Sequence, residues 1–297
     1  MASLLEIRKK IGGVKSTKKI TKAMQLVATS KMKLFQKKAV SAREYIWDLL
    51  KILEQNLHEE LKNIYTEHRK NGATLFVIYT SDKGLCGALN NNLLKALFRS
   101  EKWVSTPAEE RLLITIGKKA NEFAKANKIA VEKHFLGIPE KLNNEVTLEI
   151  IDTILKYWTE GKCKEIVFIA PHFQNTFTFY PVLKTFLPLN KEMVKTNIGH
   201  ANQKADKDGK KDSGYMLYEP SQQQVLEKLF RLVVQGLFVQ SFFELKASEY
   251  SSRMIAMQNA TEAADKKITD LTRTYNKTRQ QVITQQLAEL IGASDAV

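Results

Sequence analysis

The residues with chemical reach are few and scattered. Gly84 and Gly87 lie in the turn Ser81-Asp82-Lys83-Gly84-Leu85-Cys86-Gly87-Ala88, between an apolar run and a helical pattern. That is where an α/β fold holds phosphate on backbone N–H groups at a helix N-terminus. The two glycines lack the spacing of a dinucleotide fingerprint. Gly12-Gly13-Val14-Lys15-Ser16-Thr17 puts Val14 between glycine and lysine, which a phosphate loop needs side by side. The turn reads first as structural, with nucleotide binding as the minor alternative. His58, His68, His134, His172 and His200 stand alone, with no second ligand or nucleophile at metal-site or triad spacing. Cys86 and Cys163 are too few for a disulfide framework or a zinc site and read as reduced thiols. The pairs Glu59-Glu60 and Glu109-Glu110 sit in charged surroundings that do not favour an acid–base dyad. No catalytic, cofactor-binding or metal-binding set is expected, so function must reside in surfaces.

One surface stands out by charge. The chain carries a net charge of +14. Its first 38 residues hold eleven bases (Arg8, Lys9, Lys10, Lys15, Lys18, Lys19, Lys22, Lys31, Lys33, Lys37, Lys38) against the single acid Glu6, and so supply most of that excess. Such a block suits a nucleic acid, an acidic protein or an anionic membrane surface. The bases lie inside a heptad pattern rather than ahead of it, and no Asn and Arg cluster for reading base edges accompanies them. A basic coiled-coil nucleic-acid-binding protein remains the alternative reading.

The elements that carry these residues follow from periodicity. From Leu4 to about Ile64 there is no proline, and two columns four residues apart repeat every seven. One is Ile7, Val14, Thr21, Ala28, Phe35, Ala42 and Leu49; the other is Ile11, Lys18, Gln25, Met32, Ala39, Ile46 and Leu53. A long helix with a heptad seam is predicted, weakened near its basic end by Lys18, Thr21 and Gln25. From about Ser221 to Ile291 the pattern returns, with Ala247, Met254, Thr261, Ile268, Tyr275 and Val282 beside Tyr250, Met257, Ala264, Leu271 and Thr278. The two helices are most economically paired with each other, antiparallel, and homodimerisation through either is the alternative.

Between them, short apolar runs alternate with amphipathic segments, the pattern of a mostly parallel sheet. Strands are predicted at Thr74 to Thr80, Arg111 to Ile116, Ile129 to His134, Glu165 to Ala170 and Phe177 to Leu187, with helices near Leu89 to Arg99, Lys118 to Ala126 and Val146 to Trp158. Asn144 is taken as the cap of the last. The expected organisation is an N-terminal coiled-coil helix over 1–65, a Rossmann-like α/β domain over 73–200, a flexible polar loop over 201–215 and a C-terminal coiled-coil helix over 216–297. No run approaches the roughly 20 apolar residues of a membrane span, and the start lacks a secretory signal, so a cytosolic or membrane-peripheral protein is expected.

The residues also resemble a known family, the gamma subunit of F-type ATP synthases. The likeness is carried by Thr17-Lys18-Lys19-Ile20-Thr21-Lys22-Ala23-Met24 with Val27-Ala28-Thr29-Ser30-Lys31-Met32. It continues in Thr80-Ser81-Asp82-Lys83-Gly84-Leu85-Cys86-Gly87-Ala88-Leu89-Asn90. Late in the chain it includes Leu217-Tyr218-Glu219-Pro220, Lys246-Ala247-Ser248-Glu249, Asn259-Ala260-Thr261 and Tyr275-Asn276-Lys277-Thr278-Arg279-Gln280. The matches run in order over nearly the whole length. Gln286 departs from a common glutamate and Lys18 from a usual glutamine.

The resemblance implies a rotor shaft that performs no catalysis itself and couples proton or sodium flow to ATP synthesis. The antiparallel coiled coil would turn inside a ring of three alpha and three beta subunits, with the α/β domain beside the epsilon subunit and the membrane c-ring. It further implies that Lys22, Met24, Lys31 and Lys33 meet the mouth of the ring, that Arg279, Gln280, Thr284 and Glu289 meet it near the top, and that Tyr218 and Glu219 face epsilon and the membrane ring. The implied setting is the cytoplasmic face of a bacterial plasma membrane, with no direct membrane insertion.

Overall fold

The computed structural model describes residues 3–56, 63–189, 218–219 and 221–294. The first helix, α1 (Leu4–Asn56), opens on a reciprocal cap: Ser3 Oγ accepts from Glu6 N at 3.3 Å, and Glu6 Oε2 accepts from Ser3 N at 3.2 Å. With no proline inside, the helix runs 53 residues. The predicted extension to residue 65 is not realised: Asn63 Oδ1 accepts from Tyr65 N at 3.0 Å, and a turn occupies residues 64–66. Every residue of both predicted α1 columns is buried or half-buried.

The middle segment comprises β1 (Ala73–Tyr79), α2 (Leu89–Phe98), α3 (Glu101–Ser105), β2 (Arg111–Ile116), α4 (Lys118–Ala126), β3 (Lys133–Phe135), α5 (Asn144–Thr159), β4 (Cys163–Phe173) and β5 (Phe179–Leu187). The last helix is α6 (Gln222–Ser294). Strand order is β3-β2-β1-β4-β5. The first four strands are parallel, and β5 returns antiparallel beside β4. The sheet is therefore mostly parallel, as the alternating pattern predicts. The third strand falls later and shorter than predicted, three residues rather than a run from Ile129. The cap of α5 is Asn143, not Asn144: its side chain accepts from Val146 N at 3.1 Å. The polar loop expected over 201–215 lies outside the described residues. Among the described residues, no helix is long and apolar enough to cross a membrane.

The chain divides into two compact units, which cut across the expected linear segments. One comprises Met1–Ser30 with Arg253–Val297, and the other Lys31–Ser252. The first unit is an antiparallel helix pair. Its register is fixed where Thr21 Oγ1 and Thr261 Oγ1 meet at 2.8 Å, one turn from the Lys18–Asp265 ion pair at 2.5 Å. Lys18, a break in the seam by sequence, is thus matched by an acid on the facing helix.

In the second unit the sheet carries helices on both faces, and period-2 alternation sorts its side chains. Phe76 of β1 meets Trp103 of α3 edge-on, and Trp103 also meets Phe98 of α2. On the opposite face Tyr79 stacks on Phe238 of α6, which also meets Phe168 of β4. Within this unit α1 and α6 again pair antiparallel, with the rings of Phe35 and Tyr250 stacked at 5.6 Å. The two helices approach closely at Gly236, where an added Cβ would overlap the side chain of Ile46.

Candidate partner-binding surface of the helix pair

The glycine turn after β1 lies at the carboxyl end of the sheet, where the strand order reverses between β1 and β4. That is where open α/β sheets bind ligands. Here the place is filled by the chain itself. Asp82 Oδ1 accepts from Lys118 N at 3.0 Å, so a carboxylate occupies the anion-binding N-terminus of α4. Ser252 of α6 donates to the Cys86 carbonyl at 2.6 Å. Gly87, at φ +57, is where an added Cβ would lie 3.1 Å from Ser252 Oγ. Asn90 Nδ2 donates to Ser81 Oγ at 2.8 Å. The motif therefore serves as a joint between the sheet and α6.

The first unit offers an exposed surface around a buried seam. Its seam is built from small residues, with Ala28, Thr21, Thr261 and Ala264 all buried. Slender side chains bring the helix axes close and keep the pair narrow. Around that seam Lys22 is exposed, its Nζ donating to Gln25 Oε1 at 3.2 Å, and Met24 is half-buried beside it. Arg279, Gln280, Thr284 and Glu289 are all exposed on α6. Thr284 donates to the Gln280 carbonyl at 2.9 Å, and Glu289 accepts from Gln285 at 3.0 Å. At 1.5 Å of rise per residue, Arg279 stands about 27 Å along α6 from Thr261. The structure thus separates the Lys22–Met24 surface from the Arg279–Glu289 surface, in one unit but far apart. On the distal surface Ile283, Leu287, Leu290 and Ile291 are also exposed, an apolar stripe at helical spacing.

The remaining expected contacts lie in the second unit. Lys33 is exposed. Lys31 is held within the chain: its Nζ lies 2.6 Å from Glu140 Oε2, and the Tyr250 hydroxyl binds the same carboxylate. Partial burial raises the Glu140 pKa, but hydrogen bonds from Lys31 and Tyr250 outweigh it and hold the group below the usual carboxylate range. Tyr218 is half-buried and donates to Asn56 Oδ1 at the end of α1, while Glu219 is exposed.

Sequence reasoning missed a buried ionic group in this unit. Glu244 of α6 binds Arg43 of α1, Gln240 one turn before it, and His172 and the Phe173 N–H of β4. A glutamate amid the aromatic residues Phe238, Phe242 and Phe243 was the available signal, since a buried carboxylate demands partners.

The described residues thus form an antiparallel helix pair with an exposed basic flank and a mostly parallel, Rossmann-like sheet. A family profile described as ATP synthase matches residues 3–297. The chain is 36% identical over 301 residues to the ATP synthase gamma chain of Polaromonas sp. (strain JS666), covering 100% of both chains. It is equally 36% identical over 309 residues to that of Buchnera aphidicola subsp. Acyrthosiphon pisum, covering 100% of this chain and 99% of the relative. In fold it is similar to a chain in the OSCP/F1/c-ring structure of Euglena gracilis mitochondrial ATP synthase, with a TM-score of 0.69, 21% identity, and 99% and 94% of the two chains covered. The chain belongs to the ATP synthase gamma-chain family, the central-stalk rotor of that enzyme. The nucleic-acid alternative is set aside by this membership.

Proposed function

We propose that the chain is the non-catalytic shaft of a rotary ATP synthase, coupling transmembrane proton or sodium flow to ATP synthesis on the beta subunits of a surrounding ring. Its partners are the alpha and beta subunits, epsilon and the membrane c-ring, and it is peripheral to the cytoplasmic face of a bacterial plasma membrane. The observation that carries this reading is the seam at Thr21, Ala28, Thr261 and Ala264, too small to maximise self-association and suited to a slender pair turning in a sleeve. A rotor works by differential contact: it shifts a catalytic site only if it binds the site's open, loose and tight states unequally. An asymmetric pair shows a different face to each beta subunit, and by linkage nucleotide binding exerts torque in return. Lys22, Met24 and Lys33 are assigned to the mouth of the ring and Arg279, Gln280, Thr284 and Glu289 to its upper part. Lys31 joins the mouth contact only in exchange for Glu140. Tyr218 anchors the foot through Asn56, and Glu219 is its outward contact towards epsilon and the c-ring.

Co-expression with alpha and beta tests the reading. A stable complex with ATPase activity that the chain alone lacks is expected. A soluble homodimer of this chain that ignores alpha and beta and binds DNA with steep salt dependence would overturn it.

A further inference from the structure

The carboxylate of Glu244 takes part in five hydrogen-bond contacts. Its Oε1 accepts from Arg43 Nη2 at 2.9 Å, Arg43 Nε at 3.2 Å and Gln240 Nε2 at 2.9 Å. Its Oε2 lies 3.1 Å from His172 Nδ1 and accepts from Phe173 N at 3.3 Å. Arg43 closes the ring by donating from Nη2 to the Phe173 carbonyl at 2.6 Å. One side chain therefore ties α1, α6 and β4 to each other, and the Lys184 ammonium of β5 adds its charge from the adjacent strand.

Most of the contact between α6 and the sheet is apolar, through Phe238 and Phe242 on Tyr79 and Phe168. Apolar burial is strong but non-directional, so it holds a helix on a sheet without fixing its rotation closely. Hydrogen bonds are directional. A 20° turn of α6 about its axis displaces an atom about 6 Å from that axis by about 2 Å. That takes the bonds to Glu244 from Arg43, His172 and the Phe173 N–H outside hydrogen-bond range, while the Gln240 bond, on α6 itself, turns with the helix.

We propose that Glu244 is the positioning residue that sets the rotational angle of α6, with α1 beside it, on the sheet of the second unit, so that rotation of these helix stretches passes to the sheet without lag. This rests on the rotor reading above. Arg43 and His172 act through it, one from the partner helix and one from the sheet. The glycine turn adds a bond of its own, Ser252 Oγ to the Cys86 carbonyl at 2.6 Å.

Two variants in the assembled ATP synthase, reconstituted in vesicles, separate positioning from plain stability. Glu244→Gln keeps the shape and some of the hydrogen bonds but leaves the half-buried Arg43 charge without its counter-ion. Arg43→Met/Gln240→Leu/Glu244→Leu removes the helix-borne members of the group at similar volume and leaves His172 and the Phe173 N–H on the strand. Removing one partner of a buried ion pair is strongly destabilising, whereas apolar replacement of the whole pair is often neutral. Thermal stability should therefore rank wild type and the triple variant above Glu244→Gln. Ions pumped per ATP hydrolysed should rank differently, with wild type first, Glu244→Gln second and the triple variant last, at least about twofold below wild type. Pumping per ATP that follows the stability order, or that is unchanged in the triple variant, would overturn the proposal. Loss of hydrolysis, pumping and assembly together in the triple variant would also overturn it, leaving the cluster a purely structural support. The wild-type vesicles test the rotor reading separately: if they hydrolyse ATP and do not pump, that assignment fails whatever the variants do.

Discussion

Thr21 Oγ1 and Thr261 Oγ1 lie 2.8 Å apart across the antiparallel pair, each hydroxyl also within reach of a carbonyl one turn back on its own helix, Lys18 O at 3.1 Å and Met257 O at 2.8 Å. With one proton on each hydroxyl, whichever threonine donates across the pair gives up its own carbonyl, while the other keeps its local bond and accepts. Thr261→Val should cost about 1 kcal/mol, the net worth of one hydrogen bond. Thr21→Val/Thr261→Val should cost no more than the single change, because the second substitution removes no further bond between the helices. Urea unfolding of the full chain reads both, and a double variant whose loss is the sum of the two singles would show that the hydroxyls act independently.

Gly236 is a helix-interior glycine that propensity alone would replace, since alanine is favoured there by about 1 kcal/mol. A Cβ at that position would overlap Ile46 Cδ1 and lie 3.2 Å from its Cγ1. Gly236→Ala should therefore destabilise by about 1–3 kcal/mol through overpacking. Ile46→Val removes the overlapping methyl, so Gly236→Ala/Ile46→Val should recover much of the loss. A double variant no better than Gly236→Ala in thermal unfolding would contradict the contact.

Burial pushes the Glu244 carboxyl up, but the His172 hydrogen bond and the charges of Lys184 and Arg43 outweigh it and bring it down to about 2. A folded pKa below the unfolded one means stability that is present above the unfolded value near 4.5 and lost as the pH falls towards 2. Wild type should lose up to about 3 kcal/mol relative to Glu244→Gln between pH 5 and pH 2. Denaturation of both proteins across that window is the measurement, and parallel pH curves would count against the ion cluster.

Arg279 is exposed on α6, and no ion pair to it is present among the described residues. Arg279→Ala should leave the chain's own stability within about 0.5 kcal/mol, as surface substitutions usually do. It should lower the ATPase activity of the complex with alpha and beta, because its proposed partner is outside the chain. Lys31→Ala should behave oppositely in part, loosening the Glu140 contact and reducing stability by up to about 1 kcal/mol, the usual ceiling for a half-exposed pair. Equal effects of the two substitutions on unfolding would remove the distinction drawn between them.

The long helices were legible because their signal is local and repeated. Absence of proline and a seven-residue recurrence from Ile7 to Leu53 leave one conformation that buries the columns, and none of those residues is exposed. The strands were legible where apolar runs are continuous, as in β1, β2 and β4. They were not where pairing alone decides: β3 is three residues defined by its partner β2, and Ile129, the residue taken to start it, lies outside it. Asn143 and Asn144 are chemically equal caps, and only the turn preceding α5 chose between them.

By itself the sequence determined the two heptad helices, the mostly parallel sheet between them, the basic flank and the family likeness, because each is written in spacing and residue type along contiguous chain. Tertiary structure alone decided which polar residues are occupied within the molecule and which face outward. Lys31 and Lys33 are two residues apart and chemically identical, yet one binds Glu140, 109 residues away, and the other is exposed. Lys18, a break in the seam by sequence, is met by Asp265, and Glu244, which drew no notice in the sequence, is held by Arg43 and His172. A charge carries no record in sequence of the distant partner that will neutralise it. Its role follows from the low-dielectric surroundings that packing creates, where a bond made or left unmade counts far more than it does in water.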